Sequence, residues 1–97
     1  MPADILSKYA EEVLLGNPIL CHLTKSLMNR IYSLIKDVQY AVDIEEDTVY
    51  LYVITYTGNT EDNRFIIDET LDMYKEMFDY VGYKINVILS EYYSGKN

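Results

Sequence analysis

A chain of 97 residues with a formal charge of −8 is the size of one domain. Its apolar share of 49% suffices for a packed core and is too high for a disordered chain. The acid excess disfavours contact with DNA, RNA or anionic membrane, and a lone cysteine, Cys21, leaves no internal disulfide, as in a reducing cytoplasm. A cytoplasmic protein is the expectation, that of a host cell if the gene is viral. The N-terminal MPADILSK lacks a basic stretch followed by an apolar core, so no secretory leader is expected there.

The predicted elements begin with a helix over residues 3–15. Ile5, Tyr9 and Val13 recur one turn apart, with Leu6, Ala10 and Leu14 beside them. Gly16 ends it. Asn17 and Pro18 start a second helix as N-cap and first helical residue, running to Lys36. Leu20, Leu23, Leu27, Ile31 and Leu34 form its apolar stripe, and His22, Lys25, Ser26, Asn29, Ser33 and Lys36 its polar, mildly basic face.

Residues 38–44 and 49–56 alternate as strands and flank an acidic turn. If Ile44 pairs with Val49, then Val42 meets Leu51 and Tyr40 meets Val53. The same register sets Asp43 against Tyr50 and Ala41 against Tyr52. One face is then wholly aliphatic and the other is rich in tyrosine. A third helix runs from residue 60 or 61 to Val81, with Ile67, Leu71, Tyr74, Phe78 and Val81 inward and Gly82 as its cap. Ile66, Met73, Met77 and Tyr80 widen its apolar surface. A last strand over 83–91 follows.

The fold class is therefore α+β, in a single domain over residues 1–97. Two N-terminal helices precede β-β-α-β, with a three-stranded mixed sheet covered by helices on one face. A strand–helix–strand crossover returns the last strand parallel to strand 49–56, which is apolar on both faces and so central. The alternative sets the last strand antiparallel beside strand 38–44.

Chemistry-bearing patterns are sparse. One histidine and one cysteine, adjacent at His22 and Cys21, supply neither a zinc ligand set nor a Cys–His pair facing one way on a helix. No catalytic residues, no metal site and no cofactor are expected. The junction YTGNTEDN at 56–63 lacks the glycine spacing of a nucleotide loop, and Glu61 and Asp62 fit helix capping better.

Charge gives more. Residues 1–36 hold four cations and three acids, whereas residues 37–97 hold four cations and thirteen acids. Asp68, Asp72, Glu76 and Asp79 form an acidic ridge on the third helix, and Asp43, Glu45, Glu46 and Asp47 gather at the hairpin. Both are candidate contacts for the basic surface of a nucleic-acid-binding protein. The spacing of the hairpin acids matches no calcium loop, and a solvated turn is the plainer reading. Tyr50, Tyr52, Ile54 and Tyr56 are the candidate self-association face of a homodimer, unless the first helix folds across them.

The functional expectation is a small acidic, non-enzymatic interaction protein. Size and charge suit an inhibitor of a nucleic-acid-handling enzyme, of the anti-CRISPR or anti-restriction kind encoded by phages and mobile elements. The alternatives are an immunity protein or antitoxin neutralising a basic toxin, and a small-ligand or RNA-binding module using the tyrosine face. Direct nucleic-acid binding through that face conflicts with the charge.

Overall fold

In chain order the elements of the computed structural model, which describes residues 4–56 and 60–91, are β1 (Asp4–Leu6), α1 (Lys8–Leu15), α2 (Pro18–Leu34), β2 (Val38–Glu45), β3 (Thr48–Thr55), α3 (Thr60–Tyr80) and β4 (Lys84–Glu91). The protein is α+β. The three expected strands are joined by a short fourth, giving the sheet order β1-β2-β3-β4. β2 and β3 are antiparallel, and β4 runs parallel to β3 across the α3 crossover. β4 thus lies beside β3, and the alternative pairing with β2 is overturned.

The hairpin register is the one that pattern alone required. Ile44 faces Val49, Val42 faces Leu51, Tyr40 faces Val53, Asp43 faces Tyr50 and Ala41 faces Tyr52. Val38, Tyr40, Val42 and Ile44 are buried, as are Val49, Leu51 and Val53. They form one cluster with Leu20, Leu27 and Ile31 of α2 and Ile67 and Phe78 of α3. Slipping the pairing by one residue would turn this whole set to the opposite face. The Tyr40 hydroxyl crosses the cluster to donate to the Met28 carbonyl at 2.7 Å, so the buried polar atom is satisfied.

The first helix is shorter than its spacing predicts. Asp4–Leu6 are not helical; they pair in parallel with Tyr40–Val42 along the outer edge of β2. Ser7 then caps α1: its backbone is extended, and its hydroxyl accepts from the Ala10 amide. A strand edge offers a row of unpaired N–H and C=O groups, and pairing with β2 occupies that row as far as Val42. α1 does not cross the tyrosine face. Ala10 and Leu14 join the aliphatic cluster beside α2. All three helices therefore cover one side of the sheet.

α2 starts as expected, with Asn17 accepting from the Leu20 amide and Pro18 in the first turn. It packs antiparallel to α3: Ser26 and Tyr74 share a hydroxyl–hydroxyl bond of 2.7 Å, and Ile19 and Leu23 face Met77 and Tyr80. α3 ends at Tyr80, and the turn beyond it passes through Gly82, whose φ of +87° favours a residue without Cβ.

Candidate functional site

The hairpin acids divide. Glu45, Glu46 and Asp47 are exposed at the tip, where Glu46 adopts φ +56° to close the turn between the paired Glu45 and Thr48. Asp43 is not part of this tip. It is half-buried, and its Oδ1 accepts from the Ser7 hydroxyl at 2.7 Å and from the Ile44 amide at 2.8 Å. Ser7 simultaneously caps α1, so Asp43 ties the start of that helix to β2. Asp43→Ala should therefore lower stability by about 1–2 kcal/mol, the cost of a lost bond and a loosened cap. Asp43→Asn keeps an acceptor oxygen and should stay within about 0.5 kcal/mol of wild type. Urea titrations of the two variants check this; equal losses would mean the bond to Ser7 contributes nothing.

The acidic ridge of α3 also divides. Asp68, Asp72, Glu76 and Asp79 are all exposed. Asp72 and Glu76 border the outer groove between α2 and α3, near Arg30 and Ile19 respectively. Asp79 turns the other way, toward Lys75, Tyr83 and Lys84 on the β4 side. Asp68 stands eleven residues earlier, about three helical turns, and so shares that flank. Two ion pairs involve the ridge, Arg64–Asp68 at 3.4 Å and Lys75–Asp72 at 3.9 Å, both between exposed side chains. Exposed pairs of this kind hold their partners weakly.

One end of the molecule brings Asp79 near the hairpin acids Glu45, Glu46 and Asp47. The Gly82 amide donates to the Asp79 carbonyl, and the next strand begins at once with the Lys84 amide donating to the Asp47 carbonyl at 2.7 Å. The C-terminus of α3 and the hairpin tip are thus stitched together. The last turn of α3 holds no basic residue, so no side chain of that turn offsets the partial negative charge at the helix C-terminus. Asp79, Glu45, Glu46 and Asp47 stand around this negative pole, with Lys84 as a cation among them.

The proposed self-association residues lie on the side of the sheet that none of the described helices covers. The register builds cross-strand rows: Ala41, Tyr52 and Ile88; Gln39, Ile54 and Ser90; Asp43, Tyr50 and Asn86. Tyr50, Tyr52 and Ile54 are half-buried, and Tyr56 follows just beyond the end of β3. More exposed apolar side chains lie elsewhere: Leu15 at 77% and Phe65 at 64% stand apart from the α2–α3 seam, and four others line it. Tyr80 is 91% exposed, Ile19 61%, Met73 53% and Met77 41%, and all four lie along the seam between α2 and α3. Sequence reasoning placed Met73, Met77 and Tyr80 on the apolar side of α3 without making them a site. Their i, i+4, i+7 spacing was the signal, offset from the stripe that faces the sheet.

Among the described residues no three histidine, cysteine or acidic side chains converge as metal ligands. Cys21 is a half-buried free thiol packed against the core, and the adjacent His22 is exposed. In the junction 56–63, residues 57–59 lie outside the described residues; Glu61 and Asp62 stand exposed in the first turn of α3. No helix among the described residues is long and apolar enough to cross a membrane. No protein-family model, curated protein or solved structure matches this chain.

Proposed function

We propose that this protein is a non-enzymatic inhibitor that docks its negative pole on the basic, nucleic-acid-binding surface of an enzyme. The observation that carries the reading is the joining of Asp79 and the hairpin acids Glu45, Glu46 and Asp47 at one end of the fold, beside the C-terminus of α3, whose last turn holds no basic residue. Asp68 extends the same flank. These groups come from two segments, α3 and the β2–β3 hairpin, and the local backbone bonds fix their relative positions. A fixed acid array on a small rigid body presents charge without the entropy cost of ordering a tail. Such an array speeds encounter with a cationic groove and rejects nucleic acid itself.

The test is inhibition across a panel of nucleases, restriction enzymes and CRISPR effector nucleases. At least one should be inhibited, less strongly as salt rises. Glu46→Gln with Asp79→Asn should weaken that inhibition by about three- to tenfold, the scale of two partly exposed charge contacts. The same double variant should melt no lower than wild type, because it removes an acid from a helix C-terminus. If no enzyme on the panel is inhibited, the reading fails. Inhibition that the double variant leaves intact would reduce the pole to a solvated surface. Measurable affinity for single-stranded RNA would instead favour the tyrosine face as a binding platform.

A further inference from the structure

We infer that the outer face of the α2–α3 pair is a self-complementary dimer interface, and that its occupant is the same face of a second copy of this chain. This inference is independent of the negative pole.

Three observations carry it. The seam between the helices exposes Ile19, Met73, Met77 and Tyr80, the apolar surface that water should most strongly drive together. The two rims carry opposite charge. α2 holds Arg30 at the seam, Lys25 exposed on its outer flank and no acid; α3 holds Glu69, Asp72 and Glu76 along this face. Lastly, α2 and α3 are antiparallel and packed at matched heights, with Ser26 bonded to Tyr74 and Arg30 beside Met73. Lys25 is therefore within a turn of the height of Glu76, and Arg30 of Asp72.

These facts select one symmetry. A two-fold axis perpendicular to the helices, in the plane of the interface, would lay α2 on α2 and α3 on α3. Acid would then face acid. A two-fold axis parallel to the helices lays α2 of each copy over α3 of the other and preserves height along the axis. Lys25 of one copy then reaches Glu76 of the other, twice, with the methionines closing between. The result is an antiparallel four-helix layer between two sheets, with isologous contacts. Methionine suits such a seam because its unbranched side chain adapts to an irregular partner surface. Two helices about 10 Å apart and about 25 Å long offer roughly 500 Å² of projected area a side, below the common 800 Å². Association should therefore be reversible at micromolar concentration. The tyrosine face, half-buried and on the opposite side of the sheet, is left free.

Sedimentation velocity across a micromolar concentration series tests this. Wild type should show a monomer–dimer equilibrium. Lys25→Glu or Glu76→Lys alone should raise the dissociation constant about tenfold or more, since each places like charges together at two symmetric positions. Lys25→Glu combined with Glu76→Lys should restore dimerisation. Tyr52→Glu, on the sheet face, should leave the dimer unchanged. A strictly monomeric wild type overturns the inference. So does a dimer lost in Tyr52→Glu and kept in Glu76→Lys, or a double swap that fails to rescue. Lys25 and Glu76 are exposed and Tyr52 lies outside the aliphatic core, so circular dichroism should show each variant folded.

Discussion

Leu51→Asp should abolish the cooperative thermal transition at neutral pH, whereas Tyr52→Asp, the next residue on the same strand, should leave the protein folded. Leu51 is fully buried at the centre of the aliphatic cluster, between Val42 and Val87 on the neighbouring strands. Losing its burial costs about 2–3 kcal/mol. Placing a carboxylate there with no partner costs several kcal/mol more, because its charge loses water and gains nothing. The total stability of a domain this size is only about 5–15 kcal/mol. The sum therefore competes with the whole. Tyr52 points to the open side of the sheet, so an aspartate there keeps its water. Melts followed by circular dichroism would decide it, and the reverse ranking would mean that the two faces are exchanged.

That contrast was legible in the sequence because both faces of strand 49–56 repeat with period two. A one-residue slip would break the sorting that keeps Val42, Ile44, Val49 and Leu51 together. α3 was legible for a similar reason, through the spacing of Ile67, Leu71, Tyr74 and Phe78, all buried. β1 was not. Three residues are too few to show alternation, and Ile5 and Leu6 also fit the helical spacing of Tyr9 and Val13. What decides their conformation is the open edge of β2, more than thirty residues away in the chain. Asp43 escaped for the same reason: adjacency placed it with the hairpin acids, but its partner is Ser7.

The acidic ridge was legible as a set of residues and not as a surface. A helical wheel places Asp68, Asp72, Glu76 and Asp79 away from the core. It does not say where α2 will lie. Once α2 packs along one side of α3, Asp72 and Glu76 border a groove containing methionine, and Asp79 faces the β4 edge and the hairpin. The two halves can then serve different contacts. One is an apolar seam with paired charges, where packing would set the strength. The other is an unpaired negative pole, where charge would set the rate of encounter.

Phe78→Ala and Tyr80→Ala should separate core from seam on a single turn of α3. Phe78 is fully buried and touches the cluster under the sheet. Its truncation removes an aromatic ring and leaves a cavity that neighbours on a sheet and two helices cannot fully close, at a cost of about 3–5 kcal/mol. For a domain of this length each kcal/mol lowers the melting temperature by about 4–8 °C, so a fall of at least about 12 °C is expected. Tyr80 is two residues on and 91% exposed. Its truncation should change monomer stability by less than about 0.5 kcal/mol. If the α2–α3 seam joins two copies, the same change should weaken the dimer, because the ring is the largest apolar group offered there. Melting at low concentration, where the monomer dominates, and sedimentation at high concentration read the two effects apart. A large loss of melting temperature in Tyr80→Ala at low concentration would show that the ring packs within its own copy and belongs to the core.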